Sequence, residues 1–173
     1  MSLLAVAETG ERRHGFKISS YDPEEPYART FIHAMSAALR LVAQHDPRRY
    51  KTVVRQLKVI HCDPRLTTAS ALYVRLFRLC VVGHGDYFKT AGTNEKRDVT
   101  QLEAIFFAVM LIHEATHGRI DSFFISYSSD RRERIERLCA KEEYRFLKRL
   151  EKRGFDVAPL YNDRICAARD SYA

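Results

Sequence analysis

The feature that most constrains this sequence is a pair of histidines, separated by three residues, at the end of an unbroken apolar segment. Residues 106–112 are all apolar, and His113-Glu114-Ala115-Thr116-His117 follows directly. Such a segment predicts a helix that is buried on nearly all sides. On a helix, His113 and His117 lie one turn apart on the same face and can reach one metal ion, while Glu114 lies about 100° away around the axis. The pattern therefore predicts a metal site in which Glu114 holds a water molecule and acts as the general base.

Because the side chains of His113, Glu114 and His117 are expected to be buried, each of them needs a bonding partner. A buried histidine or glutamate without a partner costs about 1–3 kcal/mol. A metal ion would supply that partner, whereas the alternative is a helix whose histidines and glutamate are satisfied by hydrogen bonds and by an ion pair to an arginine or lysine. A catalytic zinc ion usually has three protein ligands and one open position, so the metal interpretation requires another histidine or carboxylate nearby.

The third ligand is expected from the next helix, which we predict from residue 130 to about residue 153. Its apolar arc contains three carboxylates, each costly unless it is paired or binds a metal: Glu136, Glu142 and Glu143. Eighteen residues separate Glu136 from His117, so we expect Glu136 to be the ligand and Glu142 to be the alternative. Glu143 lies two turns beyond Glu136, which suits a group that orients an imidazole or an arginine. For Glu142 and Glu143, ion pairing with an arginine is the other interpretation.

These residues resemble those of the zincin metallopeptidases of the gluzincin type, to which thermolysin and the one-zinc aminopeptidases belong. The resemblance covers roughly residues 100–150 and rests on His113, Glu114, His117 and Glu136. It implies that the two histidines and Glu136 bind Zn²⁺. It also implies that Glu114 takes a proton from water and returns it to the leaving amine, so that the protein hydrolyses peptide bonds.

The resemblance further implies groups that bind the substrate, a peptide or protein. The strand predicted at residues 72–82 precedes the helix with the two histidines, as the rim strand does in zincins, where an extended substrate would pair with its edge. A further donor should stabilise the oxyanion. The sequence leaves this role open among three residues: Tyr127, Tyr161 and His84.

The remaining patterns predict a mainly helical α+β domain with a small sheet. Residues 27–173 are expected to form the zincin-like domain. Residues 1–26 contain two glycines and two prolines without sustained periodicity, and are expected to form an extended N-terminal arm. We predict helices at 27–45 and 47–57, strands at 58–62 and 72–82, a loop at 83–94, and a helix at 101–117 that begins with the capping box of Thr100 and Glu103 and ends at Gly118. The spacing of three between Arg75 and Arg78 breaks strict strand alternation and would also suit a helix at 72–82.

Composition is that of a single globular domain. The 173 residues suffice for one core of ordinary size, and no apolar run approaches the ~20 residues of a membrane span. The four cysteines show no metal-binding or disulfide spacing and are expected to be reduced and buried. We therefore expect a soluble, cytoplasmic protein without a membrane partner.

Charge suggests a second class of function. Lysine and arginine total 29 against 22 aspartates and glutamates, a net charge of +7, and residues 131–153 hold ten basic and five acidic residues. A stripe of cations recurs at spacings of three and four opposite the apolar arc of this helix: Arg134, Arg137, Lys141, Arg145, Lys148 and Lys152. Such a stripe is either a solvated face or a surface that grips phosphates. The alternative function is therefore a module that binds nucleic acid or an acidic partner, in which the His-Glu-x-x-His helix is structural or vestigial.

Overall fold

Helices and a mixed sheet share a core in the part of the chain that the structure describes. This computed structural model describes residues 11–20, 26–63, 65–66, 71–83, 99–125, 127–161 and 165. Within these ranges the chain forms four α-helices and five β-strands, and the strands belong to one sheet. The architecture is mainly helical and α+β, which confirms the predicted fold class.

The first two helices form as the sequence predicts. Helix α1 spans Pro26–His45, and helix α2 spans Pro47–Gln56. The residues of α1 at helical spacing are buried: Phe31, Met35, Leu39 and Val42. Asp46 caps α2, because its Oδ1 accepts a hydrogen bond from the backbone N–H of Arg49 at 3.1 Å. Pro47 takes the first helical position, where no N–H is required.

The sheet has parallel strands at its centre and an antiparallel strand at each edge. Its strands are β1 (Glu11–Arg13), β2 (Phe16–Ser20), β3 (Val59–Cys62), β4 (Ala71–Val74) and β5 (Leu79–Val82). Their spatial order is β1-β2-β3-β5-β4. Strands β2, β3 and β5 run parallel, whereas β1 and β4 run antiparallel to their neighbours. Among the described residues, β4 is therefore an edge strand.

Part of the expected N-terminal arm is a β-hairpin. Strands β1 and β2 pair around His14 and Gly15, whose φ angles of 52° and 83° are both in the left-handed region. Two consecutive positive φ angles are typical of the type I′ turns that join hairpin strands. Phe16 and Ile18 on β2 are buried, and β2 pairs with β3. The prediction of an extended arm over residues 1–26 is therefore wrong for this hairpin, while residues 1–10 and 21–25 lie outside the described ranges.

The single strand predicted over residues 72–82 is two strands. Strand β4 ends at Val74, a 3₁₀ turn occupies Arg75–Phe77, and Arg78 has a left-handed φ of 49° before β5 begins. The two strands pair antiparallel, with Val74 opposite Leu79. The spacing of three between Arg75 and Arg78, which interrupts strand alternation, belongs to this turn. The correction makes β4, rather than one long strand, the rim of the sheet.

Two long helices carry the residues of the predicted site. Helix α3 spans Gln101–Asp121, and helix α4 spans Ser129–Glu151, beginning one residue before the predicted Asp130. The predicted capping box is present at the start of α3. The N–H of Thr100 donates to Glu103 Oε2 at 2.7 Å, and the N–H of Glu103 donates to Thr100 Oγ1 at 3.2 Å. Local sequence signals therefore define where α3 begins.

Gly118 lies inside α3, so the prediction that it ends the helix is wrong. A Cβ atom at this position would lie 3.0 Å from both Gln56 Cβ and Tyr73 Cζ. Glycine therefore allows α2 and β4 to approach α3 closely, one residue after His117. Close packing, and not helix termination, requires glycine here.

Helix α3 is the most buried element, as its apolar run predicts. Residues 107–116 are all buried, and the helix packs against α1, α2, α4 and β4. Cys62, Cys80 and Cys139 are buried and form no disulfide, as expected. Cys166 and the predicted loop beyond Gly83 lie outside the described residues. In the described part of the chain, no helix combines the length and apolar character needed to cross a bilayer.

Candidate metal centre

Helices α3 and α4 bring three donor groups to one point. The Nε2 atoms of His113 and His117 are 3.0 Å apart. One carboxylate oxygen of Glu136 lies 3.4 Å from His113 Nε2, and the other lies 3.4 Å from His117 Nε2. Helical spacing produces the first contact, and the packing of α4 against α3 produces the other two. The three residues expected to bind a metal thus converge in the structure.

These separations match the spacing of ligands around a tetrahedral cation. Zinc bonds of about 2.0–2.1 Å give ligand–ligand distances of about 3.3–3.4 Å at tetrahedral angles. Two imidazoles and one carboxylate are also a donor set of catalytic zinc sites that keep one position open. His113, His117 and Glu136 therefore fit Zn²⁺.

Glu143 fixes the orientation of His113. Its side chain is fully buried, and its Oε1 contacts Nδ1 of His113. A carboxylate accepts hydrogen bonds, so His113 Nδ1 carries the proton, and in the neutral ring the lone pair of Nε2 faces His117 and Glu136. A carboxylate in this position orients a metal-binding imidazole and raises its basicity. The structure thus places Glu143 where the sequence predicts a group that orients an imidazole.

His113, His117 and Glu136 form a group that we call the metal cluster. The carboxylates around His113 favour a positive charge in this cluster. Burial lowers the pKa of His113, but Glu136 and Glu143 outweigh burial and raise this pKa to about 9. Conversely, hydrogen bonds from His113 and His117 hold the pKa of Glu136 far below its usual range. The same negative potential that retains a proton on His113 would favour a divalent cation in its place.

Glu114 lies beside the three donors on another face of α3. Its residue is only 5% exposed, and it lines the same cavity as the two histidines. Burial raises the pKa of Glu114, although His113 and His117 oppose this shift. A carboxyl group with a raised pKa is better matched to accept and return a proton near neutral pH. Glu114 therefore lines the cavity beside the two histidines, and its role as the general base stays a prediction.

The cluster opens into a cavity of about 910 Å³ bounded by α3, α4 and β4. Apolar side chains form much of its wall: Leu72, Phe106, Val109, Met110, Ile120 and Ile135. At its rim, Arg75 Nε lies 2.9 Å from Asp121 Oδ2 and joins the turn after β4 to the end of α3. A cavity of this volume is within the usual range of ligand sites, so it can hold a short segment of a peptide.

Tyr127 is the one candidate oxyanion donor that the described residues bring to the cluster. Its hydroxyl donates to Glu136 Oε1 at 2.7 Å, and its ring lies edge-on to His117 with centroids 5.4 Å apart. Tyr161 packs against Tyr144, with ring centroids 6.2 Å apart. His84 lies outside the described residues. In this arrangement the Tyr127 hydroxyl orients Glu136.

Glu142, the alternative ligand, is held by arginines. Its carboxylate lies 2.8 Å from Arg49, 2.7 Å from Arg145 and 3.9 Å from Arg119. Because Glu142 and Glu143 are adjacent, helix geometry turns their side chains about 100° apart, and only the second faces His113. The structure thus gives Glu142 the ion-pairing role that the sequence left as its other interpretation.

Cys139 is a potential donor that the sequence did not single out as a ligand. Its Sγ and the donor nitrogens of His113 and His117 all lie within 4.8 Å of one another. The buried thiol lies one turn after Glu136 and packs with Ile120 and Ile135. Its place on the apolar arc of α4 was the available signal, but a lone cysteine at such a position usually indicates packing. The structure therefore offers a thiol as the alternative to Glu136.

Zinc affinity in single variants distinguishes these candidates for the third ligand. Both oxygens of Glu136 face the histidines, so Glu136→Ala should weaken zinc binding by more than about a hundredfold, the upper end for residues that only support a ligand. Cys139→Ala and Glu142→Ala should each weaken it by less than about tenfold. Competition with a chromogenic chelator at fixed pH measures all three. A larger loss in Cys139→Ala would assign the ligand to the thiol, and a larger loss in Glu142→Ala would contradict the geometry.

The cluster is built within one chain from two helices that follow each other in sequence. Helix α3 supplies His113, Glu114 and His117, and α4 supplies Glu136 and Glu143. When the chain is compared with protein-family models, with curated proteins and with solved structures, nothing matches.

Proposed function

We propose that this protein is a zinc-dependent metallopeptidase. The observation that carries the proposal is the convergence of His113, His117 and Glu136, at separations of 3.0–3.4 Å, beside the buried Glu114. The same four residues carry the resemblance of the sequence to gluzincins. The adjoining cavity of about 910 Å³ supports the proposal because it gives a substrate access to the cluster.

The proposed reaction separates the roles of the metal and the base. When bound, Zn²⁺ would polarise the scissile carbonyl and lower the pKa of water toward about 7. Glu114 accepts the proton of the attacking water and delivers it to the nitrogen of the leaving amine. The oxygen of that water bonds to the carbonyl carbon, the bond between this carbon and the nitrogen breaks, and Glu114 returns to its carboxylate form.

Two further residues position the metal ligands. Glu143 accepts the Nδ1–H of His113, which directs Nε2 toward the shared point. Tyr127 donates to Glu136 Oε1 at 2.7 Å and restricts rotation of that carboxylate. Such contacts support a preformed site, because each ligand is held by a partner outside the metal position.

An extended peptide is the substrate that the cavity favours. Edge strand β4 contributes Ala71, Leu72 and Tyr73 to the wall. An edge strand leaves backbone groups unpaired along one side, so a peptide can add to it as a further strand. The apolar wall favours apolar side chains near the cleaved bond. The buried thiols outside any disulfide fit a reducing compartment, so we propose that this activity lies in the cytoplasm.

Removal and return of the metal test the proposed activity. The purified chain is incubated with a mixed library of quenched fluorogenic peptides. Cleavage should stop in the presence of a chelator and return when zinc is added, because the three ligands must hold the metal for the reaction to proceed. Cleavage that continues in zinc-depleted protein would contradict the proposal, and so would a zinc-loaded protein that cleaves no peptide in the library.

A further inference from the structure

A second cleft lies on a different face of α4 from the metal cluster. It has a volume of about 840 Å³ and is bounded by α2, α3 and the second half of α4. Helices α2 and α3 contribute three cations: Arg48, Arg49 and Arg119. Helix α4 and the residue that follows it contribute four: Arg145, Lys148, Arg149 and Lys152. We call these seven residues the basic groove.

Two carboxylates in or beside the basic groove are paired with its own arginines. Glu142 lies 2.8 Å from Arg49 and 2.7 Å from Arg145. Asp46, which is fully buried, contacts Arg49 and lies 3.5 Å from Arg149. These ion pairs hold Arg49, Arg145 and Arg149 in position, so the groove presents a preformed cationic surface.

Positive charge remains in the groove after these carboxylates are counted. Lys148 also pairs with Glu151, at 2.5 Å. Seven cations less three carboxylates, Glu142, Asp46 and Glu151, leave a net charge of +4. The metal cavity has the opposite character, because its wall carries four carboxylates and two arginines. The two clefts therefore favour ligands of different charge.

We infer that the basic groove binds the sugar–phosphate backbone of nucleic acid, without regard to base sequence. Five of its seven cations are arginines, whose planar guanidinium groups match pairs of phosphate oxygens. Residues 145–152, at the end of α4 and its C-cap, span about 10 Å, close to the axial length of three nucleotides at about 3.4 Å each. Long cationic side chains and the hydroxyl of Thr52 line the groove, and groups of these kinds are the ones that contact phosphates.

The basic groove contains only part of the cationic stripe that the sequence predicts. Three members of that stripe line the groove: Arg145, Lys148 and Lys152. Three others do not line it: Arg134, Arg137 and Lys141. Cations from α2 and α3, which periodicity along α4 cannot reveal, complete the surface. The three stripe residues outside the groove therefore provide control positions on the same helix.

Fluorescence anisotropy with labelled duplex DNA, at low and then rising salt, measures binding to the full chain. Log affinity should fall linearly with log salt, with a slope of about −0.9 for each phosphate contacted. The double variant Arg48→Glu with Lys152→Glu should bind at least about tenfold more weakly and lose about two units of slope. The matched control, Arg134→Glu with Arg137→Glu, makes the same change in net charge outside the groove and should keep its affinity within about threefold.

These side chains are exposed, so all variants should melt like the unaltered chain and retain the same zinc content. Equal weakening by both double variants would overturn the proposal, because net charge alone would then explain binding. Failure to bind DNA or RNA at micromolar protein in low salt would also overturn it. Single-stranded DNA and RNA of equal length identify the preferred nucleic acid. Tighter binding of polyglutamate than of DNA at the same charge concentration would assign the groove to an acidic peptide and contradict the proposal.

Discussion

Glu114→Gln is expected to preserve the fold and the zinc of this protein while lowering peptide hydrolysis by at least about a hundredfold. A glutamine can hold a water molecule by a hydrogen bond, but it cannot accept the proton of that water. Zinc should remain because the donors at 3.0–3.4 Å from one another are His113, His117 and Glu136. The measurement is kcat on the best peptide of the library, together with zinc content and Tm.

Glu133→Gln is the matched control for this variant. It makes the same chemical change at an exposed carboxylate near the start of α4, where Glu133 pairs with Arg137 at 2.6 Å. Its kcat should equal that of the unaltered chain. If Glu114→Gln retained activity within about tenfold of the control, general-base catalysis by Glu114 would be excluded.

His117→Ala is expected to abolish stoichiometric zinc binding, since a catalytic zinc ion needs three protein ligands. In the unaltered chain, free zinc at about a hundred times its Kd should raise the free energy of unfolding by about 2.7 kcal/mol. That zinc-dependent rise should vanish in the variant. His117 is a better target than His113, whose loss would remove a hydrogen-bond partner from the buried carboxylate of Glu143 and destabilise the fold itself.

Thermal melting with and without added zinc measures this difference. Arg119→Ala, two residues further along α3 and exposed, serves as the control and should keep the full zinc-dependent rise in Tm. An equal rise in His117→Ala would show that zinc binds elsewhere and would contradict the ligand assignment.

The helices can be predicted from the sequence because their signals are local. The hairpin of β1 and β2 cannot be predicted in this way. The cap at Asp46 and the capping box of Thr100 and Glu103 each lie within four residues of sequence. Strands β1 and β2 have three and five residues, too short to show alternation. Their place in the sheet depends on pairing between Lys17 and Val59, which no local window of sequence contains.

Some features of the candidate site likewise depend on local sequence, and others depend on contacts between distant residues. The relation of Glu114 to the two histidines follows from the geometry of one helix. Which of Glu142 and Glu143 faces the histidines does not follow from helix geometry, because both lie on the apolar arc of α4. Arg49 pairs with the carboxylate of Glu142, although the two residues are 93 positions apart, and Glu143 contacts His113. The nearness of Cys139 to the histidines likewise depends on how α4 packs against α3.

The zinc content of this chain, purified without a metal-affinity tag, tests the central claim most directly. Inductively coupled plasma mass spectrometry on protein dialysed after zinc supplementation should give about one zinc ion per folded chain, and His117→Ala should give far less. A folded, unaltered chain that retains no zinc, or a His117→Ala chain that retains as much as the unaltered one, would contradict the account.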